Sequence, residues 1–251
     1  MDLGLRGKRA AVAAGSAGLG LGAAEALAAE GARVAICGRD RARVDAAAAE
    51  IGGDAVALVA DMGDVDQATG FITEAVERLG GTIDIVVANA GGPPAGTFSS
   101  TDLDGYRQAL DLNLLSSIAL CQAAVPAMQA QGWGRVVAIT SIGVRQPPPY
   151  LMASATARAG LTAFLKVLAT EVAPDGVTVN SVQPGLHDTD RVRQLHGGGT
   201  LPAAAAAGIP VGHLGDAHDF GAVVAFLCSR QARFVTGTSL LVDGGAFPGL
   251  V

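Results

Sequence analysis

Cysteine is scarce in this chain, with three in 251 residues, and Cys37, Cys121 and Cys228 lie far apart in apolar surroundings. No CxxC or Cys/His spacing accompanies any of them, which argues against a disulfide scaffold and against a metal centre and suits reduced thiols in a cytoplasmic core. Long apolar runs are missing as well. No segment offers about 18 uninterrupted apolar residues, and the opening MDLGLRGKRA has charges without an apolar stretch behind them, so neither a membrane span nor an export leader is expected. The net charge of −6 is spread along the chain, and no Lys/Arg cluster offers a footprint for nucleic acid.

What is present is apolar residue in quantity, 50% of the chain, enough for one large core, so residues 1–251 are expected to form a single domain. Short β-prone runs alternate with Ala-rich stretches of helical period. That rhythm predicts an α/β fold, a Rossmann-type doubly wound parallel sheet with helices on both faces. Strands are expected at Arg9–Ala14, Arg33–Cys37, Ala55–Val59, Ile83–Ala88, Arg135–Ile139, Val177–Val182 and Ser239–Val242. Helices are expected at Leu19–Glu30, Arg43–Ile51, Asp64–Leu79, Tyr106–Met128, Leu151–Val172 and Phe220–Cys228. The wholly apolar run Ile83–Ala88 reads as a central strand, and His196–Gly208, rich in Gly and Ala, as a flap over a site.

Between the first strand and first helix lies AAGSAGLG, with Gly15, Gly18 and Gly20 at the turn. Glycine there lets the backbone approach a pyrophosphate held on the helix N-terminus, or else serves only the dihedrals of a tight connection; the β-α-β context favours the first. At the end of the second strand, Gly38-Arg39 replaces the acid that would accept from ribose hydroxyls. A missing side chain followed by a cation suits a 2′-phosphate, so NADPH is favoured over NADH, unless Arg39 is a solvated surface charge.

With these residues in hand, the chain resembles the short-chain dehydrogenase/reductase family, and within it the ketoacyl-acyl-carrier-protein reductase type. The likeness covers nearly the whole chain. It is carried by the Ala13–Gly20 turn, Asp61, Asn89-Ala90-Gly91, Asn113, Ser141, Pro184-Gly185 with Thr189, and Asp243-Gly244-Gly245. The resemblance implies that the turn, with Ser16 and Leu19, holds the cofactor phosphates, that Asp61 and Met62 face the adenine, and that Pro184, Gly185 and Thr189 flank the nicotinamide. It also implies a small-molecule substrate and a homotetramer or homodimer.

Three departures stand out. The Thr-Gly that usually opens the turn is Ala13-Ala14. Thirteen residues after Ser141, where the family has its catalytic Tyr, stands Ser154, and four residues on its Lys is Arg158. In the family reaction a hydride reaches a carbonyl carbon while Tyr protonates the oxygen. A phenol near pKa 10 can be tuned toward neutrality by a neighbouring cation, whereas an aliphatic hydroxyl starts several units higher. Ser154 is therefore a poor acid, while the guanidinium of Arg158 remains suited to ribose hydroxyls or a developing oxyanion.

Tyr150, one helical turn before Ser154, is a candidate donor if the helix starts early enough, and a pocket-lining aromatic otherwise. His187 has a suitable intrinsic pKa but reads more simply as a partly exposed loop residue. Arg145 suits an acidic substrate or is a charge on a mobile loop. Asn113, amid leucines, must find polar partners whether or not it serves a proton relay. Three functions compete on this reading: an NADPH-dependent reductase of a small carbonyl compound with an atypical site, a redox-silent NADP(H)-binding protein, and a non-redox dehydratase, cyclase or isomerase reusing the pocket.

Overall fold

A computed structural model describes residues 2–195, 197 and 206–250. Seven strands form one parallel sheet: β1 (Arg9–Val12), β2 (Arg33–Gly38), β3 (Val56–Val59), β4 (Ile85–Ala88), β5 (Gly134–Ile139), β6 (Val177–Pro184) and β7 (Ser239–Val242). They lie in the order β3-β2-β1-β4-β5-β6-β7. The order reverses between β1 and β4, and a crevice opens beyond the C-terminal ends of strands at such a switch point. β4 is buried at every position, which is why its sequence is continuous Ile-Val-Val-Ala rather than alternating.

Helices α1 (Gly18–Ala29), α2 (Arg41–Ile51) and α8 (Ala217–Cys228) cover one face, burying Leu5, Leu27, Ile36, Val44, Phe220 and Leu227. The other face lies under α3 (Val65–Leu79), α5 (Ser116–Gln131) and α6 (Met152–Val172), with Phe71, Ile72, Leu79, Leu120, Met128 and Leu161 in that core. Each such side chain contributes about 1.5–3 kcal/mol on leaving water. α1 and α8 cross with Gly22 against Ala217 and Gly221 against Gly22, so close that a Cβ on either glycine would overlap the facing backbone.

The boundaries moved where local chemistry intervenes. β1 ends at Val12 instead of Ala14, since Ala14 turns into the left-handed region at φ 46°. The expected Tyr106–Met128 helix begins earlier, as α4 (Leu103–Leu110) capped by Asp102, passes through a π-turn over Asp111–Leu115 and continues as α5. That continuous stretch, Leu103–Gln131, is long and apolar enough to cross a bilayer by length and composition. Half of its most apolar window is buried in the protein, as for a core helix. A short helix α7 (Asp190–Leu195) follows β6, outside the helices expected from the sequence. Most of the expected flap His196–Gly208 lies outside the described residues. The three cysteines are buried and free, and burial pushes each thiol up to about 12, in keeping with inert core residues.

Candidate active site

The turn from β1 to α1 is an anion cradle in its geometry. Side-chain carboxylates cap α2, α3, α4 and α8 through Asp40, Asp64, Asp102 and Asp216, whereas α1, like α6, has no side-chain cap and no acid in its first turn, with Ala17 at its N-cap. The leading amides and positive dipole end of α1 are left for another anion. Gly15 and Gly20 pack so tightly that a Cβ would meet Ile36 and Val12 at the first, and Ala14 and Asn89 at the second. Asn89 holds the turn by donating from Nδ2 to the Ala14 carbonyl at 3.2 Å. Gly18 has φ 55°, and Thr189, at the foot of α7, lies 3.4 Å from where its Cβ would be.

The far end of this groove is bounded by β2 and β3. Gly38 has no room for a side chain, since a Cβ would come within 2.6 Å of Ser16 Oγ. Arg39 projects into solvent with its guanidinium 4.0 Å from Asp61, and Asp61 Oδ1 accepts from Gly63 N at 2.8 Å. The side chain of Met62 is in the core, so only its backbone borders the groove. Leu19 packs partly against the α1 side of the sheet. At the other end, β6 brings Pro184 beside Val242 of β7, and Gly185 abuts Asp243, leaving no space for a Cβ.

Ser141 follows β5, and its hydroxyl oxygen accepts from Gly143 N at 2.9 Å, so its proton is free to donate. Arg158, one turn along α6 from Ser154, is pinned by Nη1 to the carbonyl oxygens of Ile139 at 2.8 Å and Thr140 at 3.0 Å. Its Nε donates to Ser154 Oγ at 3.4 Å. Burial, with the charge of Arg191 as a lesser cause, lowers the Arg158 pKa to about 10, which still leaves it cationic at neutral pH. Asn113 sits in the π-turn, 2% exposed, donating to the Gly91 carbonyl at 2.9 Å while its Oδ1 is a buried acceptor without a partner. Ala90 and Gly91 thus connect the end of β4 to the same wall.

Comparison with known proteins agrees with this geometry. Residues 13–246 match the family profile described as enoyl-(acyl carrier protein) reductase. L-rhamnose 1-dehydrogenase (NAD(P)(+)) of Azotobacter vinelandii is 34% identical over 97% of this chain and 98% of its own. The 3-oxoacyl-(acyl-carrier-protein) reductase FabG of Escherichia coli is 33% identical over 96% and 98%. The chain belongs to the short-chain dehydrogenase/reductase family. A solved L-sorbose reductase from Gluconobacter frateurii, complexed with NADPH and L-sorbose, superposes with a TM-score of 0.91 at 30% identity, covering all of both chains.

As a short-chain dehydrogenase/reductase, the chain brings Asn113, Ser141, Ser154 and Arg158 around the C-terminal ends of β4 and β5. Tyr150 is not among them. It precedes α6, which begins at Met152, and its ring is exposed with no polar contact to Ser154 or Arg158 among the described residues, because Pro147-Pro148-Pro149 delays the helix. His187, expected to be partly exposed, is 3% exposed. Its ring meets Phe220 edge-on at 5.2 Å and its Nδ1 lies 3.2 Å from the Gly185 carbonyl. Burial lowers its pKa, making it a neutral strut.

Arg145 is tied down as well, donating to Gln183 Oε1 at 2.7 Å and to the Ser239 carbonyl at 3.0 Å. The residue that sequence reasoning missed is Arg191. It lies two positions after Thr189, and its Nη2 reaches the Pro93 carbonyl at 2.6 Å, across to the loop after β4. The only signal for it was an arginine so soon after the Pro184–Thr189 motif.

Proposed function

We propose that this chain is an NADPH-dependent reductase of a small carbonyl compound, working in the cytoplasm as a homotetramer or homodimer, with the Tyr/Lys pair replaced by Ser154 and Arg158. The observation that carries the reading is the fixed guanidinium of Arg158 beside Ser141, at the end of a groove whose opposite wall is the uncapped start of α1. The residues fit the cofactor. Gly15, Ser16, Gly18, Leu19 and Gly20 line the place for its pyrophosphate. Arg39 with the bare Gly38 suits a 2′-phosphate; Asp61 and the Met62 backbone border the adenine end; Asn89, Ala90, Gly91, Pro184, Gly185 and Thr189 enclose the nicotinamide end. When bound, NADPH supplies the hydride.

The chain's own residues hold the carbonyl and receive the charge. Ser141 Oγ donates to the substrate oxygen, and Arg158 stabilises the alkoxide as negative charge develops, a contribution preorganised by its bonds to the Ile139 and Thr140 carbonyls. Asn113 fixes the β4 loop against the π-turn. The proton comes through solvent, with Ser154 passing a hydrogen bond but not acting as the acid, so the rate is expected to fall about 10²- to 10⁴-fold below that of a phenol-equipped site. Following NADPH absorbance against a panel of ketones, diketones and quinones tests this, with Ser141→Ala as control. Turnover that drops about 100-fold in the variant supports the reading. Cofactor binding with no turnover beyond the control would leave a redox-silent binder, and product formation without a change in absorbance a non-redox enzyme.

A further inference from the structure

Among the described residues, two guanidiniums at the substrate end of the groove, Arg158 and Arg191, meet no carboxylate and keep donors open. Among the described residues, Arg9, Arg39, Arg41, Arg43, Arg78, Arg107 and Arg193 each meet a carboxylate; Arg158 and Arg191 do not, and neither do others such as Arg135 and Arg145, which donate to carbonyl oxygens and, for Arg145, to Gln183. Arg158 spends Nε and Nη1 on Ser154 and two carbonyl oxygens, leaving Nη2 without a hydrogen-bond partner among the described residues. Arg191 uses Nη2 alone, on Pro93. Both are only partly exposed. Burial lowers the pKa of each, and Arg191's charge lowers that of Arg158 further. Partly buried like charges held near one another without compensation are unfavourable until an anion joins them.

The two come from different elements and reach the ends of neighbouring strands, β5 for Arg158 and β4 for Arg191. Arg158 rises from α6 to the end of β5, next to Ser141. Arg191 crosses from α7 to the loop after β4, over Gly92, where a Cβ would lie 2.6 Å from its Nε. Arg191 thereby reaches the loop that follows β4, the strand paired with β5, at whose end Ser141 and Arg158 lie. We propose that Arg191 and Arg158 together bind a carboxylate of the substrate, so that the compound reduced is a small oxo acid. A guanidinium fork matches a planar carboxylate in two parallel bonds. A carboxylate close to the ketone would also hold the carbonyl against Ser141 without help from a phenol.

The inference rests on the reductase reading, and the test separates the two. Oxalate, a planar dianion without a reducible ketone, is titrated calorimetrically against the protein with and without saturating NADPH, alongside inorganic phosphate and the neutral amide oxamide. Oxalate is expected to bind better than phosphate, with oxamide at least tenfold weaker. Arg191→Gln is expected to weaken oxalate about 10- to 100-fold, with NADPH affinity within threefold of wild type; Arg191→Lys, which keeps the charge but loses the fork, falls between. No oxalate binding, equal binding by Arg191→Gln, or a parallel loss of NADPH affinity, which would give Arg191 to the cofactor phosphates, overturns the proposal. Oxalate binding retained by a protein that fails to bind NADPH would sink the reductase reading and leave the anion site standing. Thermal unfolding of both variants, expected near wild type because Arg191 is partly exposed, checks that lost binding is not lost folding.

Discussion

The two ends of the groove differ in how their departures from the family pattern are absorbed. At the β1–α1 turn, Ala14 stands where glycine is usual, yet the backbone keeps the left-handed conformation at φ 46° and Asn89 still clamps the Ala14 carbonyl. Geometry there is set by neighbours, and one unfavourable residue is tolerated. At the end of β5, Ser154 and Arg158 keep a hydrogen-bonded frame, but on the proposed reading a proton donor is lost that neither His187, buried against Phe220, nor the exposed Tyr150 replaces among the described residues. Shape is over-determined and survives substitution, whereas a pKa belongs to one group and does not.

Restoring the pair separates these ends most sharply. Ser154→Tyr with Arg158→Lys is expected to raise turnover of neutral ketones about 10²- to 10⁴-fold while NADPH affinity changes less than threefold; a flat response in steady-state kinetics would show that the acid is not what limits the enzyme. The opposite perturbation is Gly20→Ala, whose Cβ would overlap the Ala14 carbonyl and Asn89 Nδ2. Overpacking of about 1–3 kcal/mol placed in the cradle is expected to weaken NADPH about 10- to 100-fold by fluorescence titration, with oxalate binding to the cofactor-free protein unchanged. The smallest effect comes from Ala14→Gly. Relief of left-handed strain, offset by glycine's greater freedom when unfolded, leaves a gain of about 0.5 kcal/mol, read as a rise of about 1–2 °C in Tm.

How much of this was legible beforehand follows the same division. The seven strands and the six longer helical segments announce themselves through local periodicity, and β4 does so most clearly because it is buried on both faces. The π-turn at Asp111–Leu115 and the late start of α6 were not legible, since each depends on how α4, α5 and α6 share space. The cradle could be read from its glycines. His187 could not, because nothing in its neighbours says that Phe220, far along the chain, will close over it. Arg191 escaped for a related reason: its partner is the Pro93 carbonyl, and a backbone acceptor leaves no mark in a sequence.

The crossing of α1 and α8 carries a consequence for assembly. Gly22 and Gly221 are far apart in sequence, yet the helix proposed to receive the cofactor phosphates is seated by their contact. A ribosome must therefore release the chain through α8 before α1 can settle, and such distant pairing slows folding. Until α8 docks, the emerging N-terminal half exposes the apolar side of α1 to chaperones and to other nascent chains.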